Sequence, residues 1–163
     1  MSVRIGIGYD SHRFGSGGPL RLGGVDIEFD RHLVGHSDGD AIAHAITDAV
    51  LGAAGLGDIG ELFSDRDRTN RGRDSVEMLA IAVARVRGAG YDVSQVDVSV
   101  IAEQPRIGPH REAMRAALGK ALGMPLGGVS IKGKTNEGMG FIGRGEGIAC
   151  IAVATLAPND KHG

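Results

Sequence analysis

Residues 38–51 have the sequence DGDAIAHAITDAVL and predict a long helix. Polar residues at its start are typical N-caps, with Ser37 or Asp38 as the expected cap, and a glycine at 52 or 55 is expected to end it. Asp40, His44 and Asp48 follow one another at one-turn intervals, so they share a helix face. A carboxylate on that face could fix the orientation of the His44 ring. The same stripe could equally be a solvated face.

The surrounding sequence predicts short strands and further helices. Strands are expected at 3–9, 96–102, 129–132 and 148–156, a turn at 15–18, a hairpin at 20–29, and helical segments at 58–63, from Asp74 onwards and from Pro109 to Leu122. This order predicts an α+β fold, a mixed α/β sandwich with helices packed on one face of a mostly mixed sheet. We expect a single domain over residues 1–163, with 159–163 as a frayed tail.

Composition narrows the range of functions. The net charge of −2 does not favour nucleic acid or an anionic membrane as a partner. The chain has no apolar run of about 20 residues and no signal peptide, so we expect a cytoplasmic protein without a membrane span. Cys150, the single cysteine, lies in an apolar run and excludes an intrachain disulfide. The 28 glycines suggest loops that approach a ligand closely, although tight turns explain many of them.

Three residues suggest a metal site. Asp10 and His12 follow the first predicted strand at a spacing that points both side chains to one face. With His44 they would supply three ligands and leave a fourth position open, as in catalytic zinc sites. Each element of this pattern also has a plain explanation. Asp-x-His occurs by chance in many proteins, and a lone helical histidine is more often structural.

Two further segments could bind phosphate. His36 and Ser37 precede the helix N-terminus, where backbone N–H groups favour anions, although the nearby acidic residues oppose this. Lys134 and Thr135 are candidate phosphate donors, and Glu137 is a candidate magnesium ligand. A solvated turn explains this second segment equally well. The sequence GMGFIG at 138–143 matches a dinucleotide-binding pattern, but a strand follows it where that motif requires a helix.

Together these motifs resemble the 2-C-methyl-D-erythritol 2,4-cyclodiphosphate synthase family over residues 3–156. The resemblance rests on GYDSHRF at 8–14, HSDGD at 36–40 with His44 and Asp48, GDIG at 57–60, TNE at 135–137, GF at 140–141 and GRGEG at 143–147. It implies a homotrimer around a central cavity, with active sites between subunits. It also implies that the 2-phosphate of 4-diphosphocytidyl-2-C-methyl-D-erythritol 2-phosphate attacks the β-phosphate, giving the cyclic diphosphate and CMP.

The resemblance further implies roles for individual residues. Zinc would be held by Asp10, His12 and His44, and a second divalent ion, magnesium or manganese, by Glu137. His36 and Thr135 would align the substrate and stabilise the transition state. The substrate-binding set would comprise Asp10, Ser11, His12, His36, Ser37, Asp58, Ile59, Gly60, Phe63, Ser64, Asp65, Arg66, Asp67, Ala102, Glu103, Gln104, Pro105, Arg106, Ile107, Gly108, Lys134, Thr135, Asn136, Glu137, Phe141 and Arg144.

Within that set, Asp58 would hold the methylerythritol hydroxyls, residues 102–108 the cytidine, and residues 63–67 would form a mobile flap. Phe141 and Arg144 would lie near the trimer axis, where an isoprenoid diphosphate could bind in the cavity. Two other functions fit the same residues. One is a metal-dependent phosphohydrolase that activates water, and the other is an inactive trimeric regulator that binds an isoprenoid or nucleotide.

Overall fold

A five-stranded sheet is the centre of the fold in the computed structural model, which describes residues 2–160. The strands are β1 (Arg4–Ser16), β4 (Arg31–Leu33), β5 (Tyr91–Ile101), β6 (Val129–Lys134) and β7 (Gly147–Pro158), and β2 (Leu20–Leu22) pairs with β3 (Val25–Ile27) in a separate hairpin. Their order in the sheet is β4-β1-β7-β5-β6. Of the strand pairs in the described range, only β5 and β6 are parallel, so the predicted mixed sheet is confirmed.

Helices supply the second layer. They are α1 (Ala41–Ala54), α2 (Ile59–Leu62), α3 (Ser75–Gly88), α4 (Arg111–Leu122) and α5 (Gly140–Gly143). Buried residues of α1, α3 and α4 join inward-facing residues of the sheet in one apolar cluster. Leu and Ile side chains with no exposed surface, including Ile46, Leu79 and Leu118, fill it. The predicted mixed α/β architecture is therefore confirmed.

Two glycines determine how α1 lies on β1. Gly6 and Gly8 lie on the face of β1 that contacts the helix. A Cβ on Gly6 would overlap the backbone carbonyl oxygen of Ala49, and one on Gly8 would overlap that of Ala45. Because neither residue has a side chain, the helix backbone rests directly on the strand. The next inward positions of the strand are Asp10 and His12, which therefore come within reach of α1.

The first strand is longer than predicted. It continues to Ser16, so Asp10 and His12 lie within it, and the turn expected at 15–18 is wrong at its start. β7 pairs with β1 as far as Arg13, and β4, which was not predicted, pairs with its last residues. These partners are distant in the chain, so local sequence did not reveal them. For the same reason β5 begins at Tyr91, before the predicted start.

Helix ends confirm most of the capping predictions. Gly55 has the left-handed conformation that ends α1, and Asp74 accepts two backbone N–H groups at the start of α3. The cap of α1 is Asp40, not Ser37 or Asp38, since its carboxylate accepts the Ala43 N–H. Pro109 lies in a 3₁₀ turn over Gly108–His110 that precedes α4.

The opposite face of the sheet is uncovered in the single chain. Outward-pointing apolar residues of β1 and β7 are well exposed: Ile5 71%, Ile7 71%, Tyr9 56%, Ile151 38% and Val153 38%. No helix among the described residues is long and apolar enough to cross a membrane. Of the predicted frayed segment, residues 161–163 lie outside the described range. Asn159 is anchored, since its backbone N–H donates to Gly90 and its side chain to Arg87.

Candidate metal centre

Three potential metal ligands converge where β1 meets α1. Oδ2 of Asp10 lies 2.7 Å from Nε2 of His12 and 3.3 Å from Nδ1 of His44, and the two ring nitrogens are 3.1 Å apart. Tetrahedral zinc bonds place neighbouring ligand atoms about 3.3–3.5 Å apart, so small side-chain shifts would admit an ion. Oδ2 of Asp10 is buried and has no hydrogen-bond partner of acceptable geometry among residues 2–160. This donor set therefore fits a divalent metal.

Each imidazole is oriented by its second nitrogen. Nδ1 of His12 lies 2.7 Å from the Val34 carbonyl, to which it can only donate, so its Nε2 presents a lone pair. Nε2 of His44 contacts the hydroxyls of Ser37 at 2.9 Å and Ser75 at 2.7 Å, which leaves its Nδ1 for the metal. Both tautomers are thus set for metal binding.

The carboxylates flanking His44 do not hold its ring. Asp40 is fully buried and accepts hydrogen bonds from Gly23 and Gly24 as well as from its own helix. Asp48 accepts the backbone N–H of Ile59 at 2.8 Å. The expectation that Asp40 or Asp48 orients His44 is therefore wrong, as is the solvated-stripe alternative for Asp40. Asp48 thus anchors the loop at Ile59, and Asp40 anchors the turn between β2 and β3.

Burial and neighbouring charges set the protonation of the centre. Burial raises the pKa of Asp10, but the imidazoles of His12 and His44 outweigh it and hold that pKa below its ordinary value of 3.8. Burial lowers the pKa of His12, but the Asp10 carboxylate outweighs it and holds that pKa above 6.5. Without a metal these shifts favour an ionised Asp10 beside a protonated His12. A cation would displace that proton.

A cleft opens over the three ligands. It is lined by Asp10, His12, His36, Ser37, His44, Ile59, Gly60, Phe63, Asp65, Asn70 and Met78. Most of these residues belong to the predicted metal and substrate set. Asn70 and Met78 were not predicted, because neither belongs to a recognisable motif. The side chain of Asn70 donates to the Ser64 carbonyl and accepts from Arg73, so it holds the segment after Phe63 against the cleft.

A second cleft contains the predicted cytidine-binding segment. Its lining comprises Ala102, Glu103, Pro105, Arg106, Ile107, Gly108, Arg111, Gly133, Lys134 and Thr135. Among residues 2–160, none lines both clefts. Within one chain, the predicted metal ligands and the predicted transition-state residue Thr135 are thus separated. Of the predicted segment, Gln104 does not line the cleft, and Arg111 and Gly133 are additions.

The remaining predicted residues make local contacts. Glu103 accepts the backbone N–H groups of Asn136 and Gly138, which anchors the loop that carries Glu137. Glu137 is exposed, has a positive φ of 54°, and is not part of the convergent ligand group found among the described residues. Asp58 caps α2 through the Glu61 N–H.

The segment predicted as a flap is hydrogen-bonded within itself. Asp67 caps a 3₁₀ turn over Arg68–Asn70, and Ser64 accepts from the Arg66 N–H. Three other predicted residues lie elsewhere. Ser11 points to the opposite face of β1 and lines a groove with Phe141, and Arg144 pairs with Glu146 at 2.8 Å.

A family model described as the YgbB family matches residues 3–157. The chain belongs to the YgbB family. A relative from Gemmatimonas aurantiaca named 2-C-methyl-D-erythritol 2,4-cyclodiphosphate synthase is 64% identical over 156 residues, covering 96% of this chain and 94% of its own. The structure described as IspF of Plasmodium falciparum in a CDP complex aligns with a TM-score of 0.86 at 36% identity, covering 98% of both chains.

The YgbB-family fold also occurs within a longer protein. The bifunctional IspDF from Campylobacter jejuni aligns with a TM-score of 0.94 at 40% identity. This chain is covered to 98% but spans only 43% of that protein. The family fold is therefore reproduced here almost completely, including the strand and helix that hold Asp10, His12 and His44.

Proposed function

We propose that this chain converts 4-diphosphocytidyl-2-C-methyl-D-erythritol 2-phosphate into 2-C-methyl-D-erythritol 2,4-cyclodiphosphate and CMP. The observation that carries the proposal is the convergence of Asp10, His12 and His44 at the base of a cleft, in a chain 64% identical to a synthase of that name. The neighbour described as a CDP complex supports a cytidine ligand. A single buried cysteine fits the reducing cytoplasm, where we place the protein.

Zinc is the ion that we assign to Asp10, His12 and His44. Two imidazoles and one carboxylate match a catalytic zinc site, and the buried Oδ2 of Asp10 makes no hydrogen bond of acceptable geometry among the described residues. When bound, the ion would supply Lewis acidity to a phosphate oxygen. We assign a second divalent ion, magnesium or manganese, to Glu137, whose exposed carboxylate suits a metal that also binds substrate phosphates.

The protein's own residues then have to align two phosphates. The attacking 2-phosphate is already ionised, so no general base is required, and alignment with charge neutralisation is sufficient. His36 and Ser37 line the metal cleft and can donate hydrogen bonds to phosphate oxygens, and Thr135 would do so from the second cleft. Because the attack is intramolecular, holding the substrate folded could lower the barrier by up to about 7–11 kcal/mol.

We further propose that the complete site forms between subunits of a homotrimer. The two clefts of one chain share no lining residue, so one subunit's metal cleft would face its neighbour's cytidine cleft. The exposed apolar residues of β1 and β7 supply a surface for this assembly. Phe141 and Arg144 would then lie near a central cavity that could hold an isoprenoid diphosphate.

Product analysis tests this function directly. The metal-loaded protein incubated with the substrate should release CMP and the cyclic diphosphate in equal amounts, and His44→Ala should lose both zinc and activity. A linear monophosphate without the cyclic product would instead indicate the phosphohydrolase. Unchanged metal content and turnover in His44→Ala would reject the metal site altogether.

A further inference from the structure

A serine at the start of α3 connects the candidate metal centre to a carboxylate. The hydroxyl of Ser75 lies 2.7 Å from Nε2 of His44, and it also donates a short hydrogen bond to Oδ1 of Asp38. Ser75 is fully buried. The other oxygen of Asp38 accepts the Ser75 backbone N–H at 3.1 Å. Asp38 therefore holds both the backbone and the hydroxyl of this serine.

The direction of these hydrogen bonds follows from the metal site. If Nδ1 of His44 binds a cation, Nε2 must carry the ring proton and donate it. A carboxylate accepts only, so the single hydroxyl proton of Ser75 goes to Asp38 and its oxygen accepts from His44. The result is one polarised chain from His44 through Ser75 to Asp38. A negative charge at its end makes Nδ1 a stronger ligand.

Ser37 is the weaker partner of the same ring nitrogen. Its hydroxyl is 2.9 Å from Nε2 of His44 and 3.3 Å from the Ser75 hydroxyl. It forms no hydrogen bond with a carboxylate of residues 2–160, and it lines the open cleft. Because the Ser75 oxygen accepts the hydrogen bond from His44, the Ser37 hydroxyl remains able to donate a hydrogen bond to a ligand. The two serines therefore have different tasks.

Helix capping does not explain Ser75. The carboxylate of the preceding residue, Asp74, accepts the Val76 and Glu77 N–H groups and so caps α3 without help from the Ser75 hydroxyl. Backbone hydrogen bonds from Asp38 N–H to Arg73 and from Gly72 N–H to His36 tie the two segments together. The hydrogen-bonded series from His44 through Ser75 to Asp38 is thus held in place by the backbone on both sides.

We infer that Ser75 and Asp38 are positioning residues that fix the tautomer and orientation of His44 for metal binding. This inference rests on the metal site of the proposed function. It predicts that removing either link weakens metal binding even when substrate is absent. It also predicts that the two residues act as one unit, so the second removal adds little to the first.

Zinc affinity of metal-stripped protein, measured by competition with a chromophoric chelator, tests the inference. Ser75→Ala and Asp38→Asn should each bind zinc about 10–100-fold more weakly than wild type. The double variant should be no more than about threefold weaker than the weaker single variant, since linked residues are not additive. Cobalt-loaded Ser75→Ala should show an altered visible absorption spectrum, which a general loss of stability would not produce.

Asp74→Asn is the matched control. Like Asp38, Asp74 pairs with Arg21: Nε of Arg21 lies 3.8 Å from Asp38, and its Nη2 lies 3.6 Å from Asp74. In the part of the chain that the structure describes, however, Asp74 forms no hydrogen bond or ion pair with His44. The zinc affinity of Asp74→Asn should remain within about threefold of wild type, because asparagine is an equally good N-cap and preserves the start of α3. If Ser75→Ala does not fold, Asp38→Asn, which preserves size, still provides the test.

The outcomes separate the inference from the function on which it rests. Wild-type affinity in both variants, additive losses, or an equal loss in Asp74→Asn would overturn the positioning role and leave the metal site intact. A wild-type protein that binds no zinc would overturn the metal site and the inference together.

Discussion

Asp48 occupies an unusual position for a carboxylate beside a metal site. It is half-buried on α1 and accepts the Ile59 N–H, which holds the loop that enters the cleft. Burial raises the pKa of Asp48. The Ile59 hydrogen bond opposes this rise, and the charges of Asp58 and Asp10 add to it, so the pKa lies above 3.8. The folded protein therefore binds this proton more tightly than the unfolded chain.

This sign predicts the effect of replacing Asp48 by asparagine. A raised folded pKa means that folding stability falls as pH rises from 3.8 through the folded value, and the penalty persists at neutral pH. Asp48→Asn keeps an acceptor for Ile59 and removes the charge. Its gain in unfolding free energy over wild type should therefore be absent near pH 3, below the unfolded pKa, and present at pH 7. Urea unfolding of metal-free protein at both pH values measures this.

Asp48→Ala serves as the control for the hydrogen bond. It removes the charge and the acceptor together, and should lose about 0.5–1.5 kcal/mol relative to Asp48→Asn at every pH. Equal stability of the two variants would show that the Ile59 contact contributes nothing. A gain for Asp48→Asn that does not change with pH would contradict the assigned pKa shift.

At the scale of elements, the centre depends on the close approach of α1 to β1. Gly8 lies one inward position before Asp10, and a methyl group there would overlap the backbone carbonyl of Ala45, the neighbour of His44. Gly8→Ala should destabilise the fold by about 1–3 kcal/mol, the usual cost of overpacking. It should also weaken zinc binding, because the helix that carries His44 is displaced. Thermal unfolding and chelator competition measure the two effects.

Gly52→Ala on α1 is the matched control. A methyl group at this position meets no atom within 4 Å, and the residue lies within the helix. Alanine should therefore stabilise the protein by about 0.5–1 kcal/mol and leave zinc affinity unchanged. If Gly8→Ala behaved like Gly52→Ala, close glycine packing would not be what positions the metal ligands.

The elements also show what sequence could and could not predict. The spacing of Asp10 and His12 correctly predicted that they share a strand face, and Gly55 and Asp74 correctly marked helix ends. These features depend only on residues that are close together in the sequence. The partner of His44 was wrongly predicted, since Ser75 is 31 residues away from it. Only tertiary packing brings α3 against α1. The predicted length of β1 was too short for the same reason, because its pairing with β4 and β7 is not local.

At the scale of the whole molecule, the two separate clefts lead to a prediction about mixed assemblies. His44 lies in the metal cleft and Thr135 in the other, so alanine variants of each should be inactive alone. In a mixed trimer, some interfaces combine the intact metal cleft of one variant with the intact second cleft of the other. Random co-assembly in equal amounts should restore about a quarter of wild-type CMP release, as expected for head-to-tail interfaces.

The pairing of His44→Ala with His12→Ala provides the matched control, because both substitutions damage the same cleft and no mixed interface is intact. This mixture should remain inactive, as judged by the same CMP-release assay on co-expressed, doubly tagged protein. If the His44→Ala and Thr135→Ala mixture also stayed inactive while forming trimers, both residues would act within one subunit. A monomeric wild-type protein in sedimentation analysis would contradict the shared site more directly, because no interface between subunits would exist. The exposed apolar face of β1 and β7 would then have no subunit to cover it.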